Sequence, residues 1–138
     1  MTTDMVGQIE HITVEHIDGT LDAEVKLLGF ASSQRDMHRT DRSCSHCRWT
    51  EVRIYRSPDK DDDGFWTYYV RTSGASSIPN ERRFERVLTT NSALRVMEAL
   101  THRRDGKVSI PRISIDAITE AAGRDDDLFE AWVERAVA

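Results

Sequence analysis

A chain of 138 residues, 38% hydrophobic and 31% charged, suits one ordinary domain with a single apolar core and much wetted surface. No apolar run approaches the roughly 18 residues that cross a bilayer, and a formal charge of −5 argues against a general binder of nucleic acid or anionic membrane. The start, MTTDMVGQIEH, lacks the basic and apolar regions of a leader, and two cysteines three positions apart suit a reducing compartment, so a soluble cytoplasmic protein without a membrane partner is expected.

QIEHITVEHI (8–17) alternates β-branched and polar residues and predicts a strand with Ile12, Val14 and His16 on one face. After Asp18-Gly19, TLDAEVKLLGF (20–30) places Leu21, Val25 and Leu28 at helical spacing. Thr20 stands as a cap and Gly29 as a stop, so a short helix is predicted. Residues 31–46 show no periodicity and read as a long polar loop. RWTEVRIYR (48–56) and FWTYYVRT (65–72) read as paired strands joined by SPDKDDDG, with RRFERVLTT (82–90) as a third.

NSALRVMEALTHRR (91–104) predicts a helix capped by Asn91 or Ser92, with its arginines at the C-terminal end where the helix dipole favours them. VSIPRI then reads as extended, and two short helices follow around Gly123, over 114–123 and 124–136. Leu94, Met97, Leu100, Leu128 and Trp132 are expected in the core because each lies on the apolar side of a helix. The resulting expectation is one α+β domain over 1–138. It has a small antiparallel meander in a sheet-rich part, 1–90, and a helical C-terminal third, 91–138, packed on one face.

The densest group of reactive side chains is HRTDRSCSHCRW (38–49). Cys44 and Cys47 have the spacing by which two thiolates grip one zinc ion, and His38 is the favoured third ligand, with His46 and Asp41 close by. A fourth ligand would have to come from His11, His16, His102 or another chain. A redox pair usually opens a helix, whereas these cysteines lead into a β-like run. Two ordinary reduced cysteines remain the simplest reading, so the cofactor expectation is none, with zinc as the alternative.

DKDDDGFWTYYV (59–70) resembles the start of a calcium loop, but Val70 stands where the twelfth-position glutamate belongs, and a solvated acidic hairpin loop is expected. ITEAAGRDDDLFEAWVER (118–135) has the outline of a helix-turn-helix, yet its second helix opens on three aspartates that would face phosphates. Those aspartates serve better as caps, with Leu128, Trp132 and Val133 packing a helical hairpin or offering part of a partner surface.

Charge is unevenly spread. Residues 71–112 hold nine Lys/Arg against four Asp/Glu, whereas 1–70 hold eight against thirteen. Arg82, Arg83, Arg86 and Tyr69 are the candidate binding surface, since arginine and tyrosine are enriched at hot spots and stack on bases. Complete catalytic motifs such as G-x-S-x-G or a P-loop are missing, which disfavours an enzyme. The leading expectation is a small accessory protein that binds another macromolecule, a protein above all. A nucleic-acid-binding accessory protein with a zinc-held loop at 36–47 ranks second. A cysteine-dependent enzyme, using Cys44 or Cys47 with His38 or His46, ranks third.

Overall fold

The computed structural model describes residues 7–16, 19–33, 48–76 and 84–137. Five strands, β1 (Ile9–His16), β2 (Gly19–Ser32), β3 (Arg48–Arg56), β4 (Tyr68–Ser76) and β5 (Phe84–Thr90), form an antiparallel meander in chain order. The sheet curls until β1 and β5 approach one another. Helices α1 (Ala93–Leu100), α2 (Arg112–Ala122) and α3 (Asp126–Val137) follow, with a small separate ribbon, β6 (His102–Arg104) and β7 (Lys107–Ser109), between the first two. The expected α+β class, with a meander first and helices packed afterwards, is what the chain adopts.

Both faces of the sheet bury apolar residues, which strand alternation makes possible. On the inner face of the curl, Ile12, Val14, Val25, Leu27, Tyr55, Tyr69 and Val87 pack together. On the other, Leu28, Val52, Ile54, Tyr68 and Val70 meet Val96, Met97, Leu100, Ile118 and Leu128 of the helices. A fully buried aliphatic side chain of this kind contributes about 1.5–3 kcal/mol, so the second layer of contacts is what holds the helices on the sheet.

The predicted helix over 20–30 is instead the long strand β2. Leu21, Ala23, Val25 and Leu27 also alternate, and all four pack on the inner face. Leu28 follows the alternation to the helix side, and because the register with β3 shifts through a bulge between Leu27 and Gly29, Ala31 turns to that side as well. A strand buried on both faces produces apolar spacings that imitate a helix.

Gly29 is a point of close approach and not a helix stop. A Cβ there would collide with the Ala117 carbonyl oxygen and lie 3.0 Å from the Ala121 nitrogen. Beside it, the Phe30 N–H donates to Glu120 Oε1 at 2.8 Å. The bulge thus hands a backbone donor from the ladder to helix α2.

The first helix is shorter than predicted. Ser92 caps it by accepting the Arg95 N–H at 3.3 Å, and it ends where Thr101 turns extended and its hydroxyl donates to the Met97 carbonyl at 2.7 Å. Arg103 and Arg104 therefore lie in strand β6, so the C-terminal third is not wholly helical. Asp105 and Gly106, with φ of 52° and 77°, make the tight turn to β7, the conformation that Asp-Gly favours in two-residue hairpins.

Of the five residues expected in the core, Met97, Leu100 and Leu128 are buried and Trp132 is half-buried against it. Leu94 is 55% exposed. With 100° per residue, it sits roughly 110° round the helix from the stripe of Val96, Met97 and Leu100.

In the 57–67 connection, Asp61 turns its carboxylate on its own backbone, accepting the N–H of Asp63 at 3.0 Å and of Phe65 at 2.9 Å. No helix among the described residues is long and apolar enough to cross a membrane.

Candidate functional site

Helix α3 is positioned by a single buried carboxylate. Asp125, just before the helix, accepts the Leu128 N–H at 2.8 Å through Oδ1, as an N-cap does. The same carboxylate accepts the Tyr68 hydroxyl at 3.0 Å and the Arg56 guanidinium at 2.7 Å, both from the sheet. The guanidinium carbon of Arg56 also lies 3.8 Å from the ring centre of Trp66, a cation–π contact. Asp125 is thus cap and cross-link at once.

The helix fixed in this way does not bury all of its apolar residues. Leu128 and Ala131 face the core, but Phe129 and Val133, one turn apart, are 53% and 43% exposed. At α-helical spacing they form a ridge beside half-buried Trp132, with Asp126 and Glu130 along the other edge and Glu134 next to Val133. Among the described residues none of these three exposed carboxylates forms an ion pair. The ridge is therefore apolar at its crest and, among the described residues, acidic without a counter-charge on its flank.

The inner face of the curled sheet carries a second, polar group beyond its apolar floor. Arg71 pairs with Glu85 at 2.6 Å, and Arg53 with Glu51 at 3.1 Å. Arg53 stands directly opposite Arg71 across the two strands and lies 4.7 Å from the ring centre of Phe30. Each guanidinium is thus neutralised by its own carboxylate, an arrangement suited to holding the curl and not to releasing a charge to a substrate. Burial raises the phenols of Tyr55 and Tyr69 above their usual range. Tyr68 is raised further, by burial first and then by the Asp125 carboxylate it touches.

The three raised phenols set an alkaline limit on stability. The unfolded chain releases these protons near pH 10, while the folded protein still holds them. Above that pH the unfolded state binds fewer protons, so stability falls as pH rises. It should be flat in this respect below about pH 9 and then fall as pH rises, chiefly through Tyr68, whose phenol is raised furthest and adds at most about 1.4 kcal/mol per pH unit. Urea midpoints measured from pH 8 to 11 check this, and Tyr68→Phe should lessen the slope. An unchanged midpoint at pH 11 would contradict it.

Few of the sequence-predicted residues fall among the described ones. Cys44, Cys47 and His38, together with His46 and Asp41, lie outside the described residues, as do Arg82 and Arg83. Arg86 is exposed beside Phe84, 5.6 Å from its ring centre. Tyr69 is buried on the inner face, whereas Arg86 pairs with Thr72 in the register of the other face, so these two do not share a surface. Among the described residues no group of three or more His, Cys, Asp or Glu side chains is placed to hold a metal ion. Phe129 has a signal in the sequence, since it and Val133 are an i, i+4 apolar pair offset from Leu128. Comparison with protein-family models, with curated proteins and with solved structures gives no match for this chain.

Proposed function

We propose that the protein is an accessory binding protein that docks another protein on the outer flank of α3. The observation that carries this reading is the exposed pair Phe129 and Val133, flanked by carboxylates that form no ion pair among the described residues. Large apolar side chains that the fold does not use are the usual anchors of an interface. The acidic edge selects their partner: a segment presenting apolar side chains for the crest and lysine or arginine for Asp126 and Glu130. Catalysis has no comparable support, because the charged groups inside the sheet are already paired.

A photo-crosslinking amino acid at position 129 should capture a partner that the same group at exposed Asp62 does not. The affinity of that partner, once purified, should fall about thirtyfold or more in Phe129→Asp, the loss expected when a hot-spot side chain is removed. The melting temperature should hold, because the replaced side chain is exposed. Equal affinity in the variant would remove α3 from the interface, and a concentration-dependent dimer lost in Phe129→Asp would identify the occupant as a second copy.

A further inference from the structure

The ribbon β6–β7 has no evident part in holding the fold. All three residues of each strand are exposed, and so are Asp105 and Gly106 between them, so neither face rests on the core. A two-stranded hairpin without an apolar face is marginal by itself. This one also carries a charge conflict, because Arg104 stands directly opposite Lys107. Like charges so placed repel and weaken the pairing. Among the described residues neither cation has an ion-pair partner, nor has Arg103.

Strand alternation sorts the side chains. His102, Arg104 and Lys107 share one face of the ribbon, and Arg103 lies on the other beside exposed Val108. The tip therefore holds three permanent cations against the single carboxylate of Asp105. The carboxylates that give the chain its charge of −5 lie for the most part outside residues 102–109, where Asp105 is the one acidic residue.

We infer that this ribbon is a contact element for duplex DNA, with Arg103, Arg104 and Lys107 meeting phosphates as the tip enters the major groove. The inference goes beyond the protein-docking role of α3 and does not depend on it. Phosphates relieve the repulsion between Arg104 and Lys107 that the fold leaves standing. A two-stranded ribbon fits the roughly 12 Å major groove of B-form DNA, and it cannot enter the deep, narrow major groove of duplex RNA.

The test is fluorescence anisotropy on the full chain with a labelled mixed-sequence 20-base-pair DNA duplex at rising salt. Three phosphate contacts predict a slope of about −2.7 for log affinity against log salt, so that each doubling of salt weakens binding about sixfold. Arg104→Gln with Lys107→Gln should bring the slope near −0.9 and cost on the order of tenfold in affinity per cation at low salt, about 50 mM. Arg124→Gln, an exposed cation between α2 and α3, should leave both values unchanged. Thermal melting verifies that the double variant folds.

Absence of binding at 50 mM salt would overturn the inference, and so would an unchanged slope in the folded double variant. Equal affinity for duplex RNA, heparin or phosphatidylserine vesicles would overturn the assignment to DNA. A preference for the DNA duplex that is lost in the double variant would establish it.

Discussion

Asp125→Ala should destabilise the protein by about 3–5 kcal/mol, the cost of removing one member of a buried charge pair. An exposed cap would lose only about 1 kcal/mol on the same replacement. The difference arises because the Asp125 side chain is 1% exposed and its partner Arg56 only 12%. Alanine leaves the guanidinium buried without its counter-charge, the Tyr68 hydroxyl without an acceptor, and the first turn of α3 uncapped. Asp125→Asn retains an acceptor for the Leu128 N–H but presents a neutral group to Arg56, so its loss should fall between wild type and alanine. Urea titrations of the three proteins give the order directly. A cost near 1 kcal/mol for alanine would mean that only the cap matters and that the link to the sheet is idle.

Gly29→Ala should be nearly as damaging, at about 3 kcal/mol, the upper part of the range for overpacking a close-packed interior. The atom in the way is the Ala117 carbonyl oxygen, part of the helix backbone. Rotamer changes cannot make room; β2 or α2 must move as a whole and stretch the Phe30–Glu120 hydrogen bond. The clash being with backbone, Ala121→Gly should not restore stability to the Gly29→Ala protein, although it removes the neighbouring methyl. Denaturant midpoints of the single and double variants decide the matter. A loss under about 1 kcal/mol would show that strand and helix separate easily.

These two positions also show where sequence reading succeeds and where it fails. Strands β1, β3, β4 and β5 are legible because their alternation is regular and one register holds throughout. In β2 both faces are buried, and Leu21 and Val25 on one with Leu28 on the other fit a helical template as well as a strand. Only the pairing with β3, a tertiary fact, decides between them.

The ribbon was hidden by a local rival. ALRVMEAL is a strong helix, and its extension through Thr101 to Arg104 looks natural until Asp105-Gly106 is read as the centre of a hairpin. Capping aspartates before α3 are legible by type, yet the burial of Asp125 depends on Arg56 and Tyr68, more than fifty positions away. The ridge is legible as an apolar pair but not as an exposed one, since exposure depends on how α3 is rotated against the sheet.

The order of elements has a consequence during synthesis. Strands β1–β5 need only neighbours in the chain to pair, so the meander can form as soon as Thr90 has emerged. Glu120 and the apolar sides of α2 and α3 come later, and at about 5–20 residues per second the ribosome needs roughly 2–10 seconds to deliver them. Through that interval Leu28, Val52, Ile54 and Val70 face water on an uncovered sheet. That apolar face is closed off only when Asp125, through its bonds to Arg56 and Tyr68, locks the last helix in place.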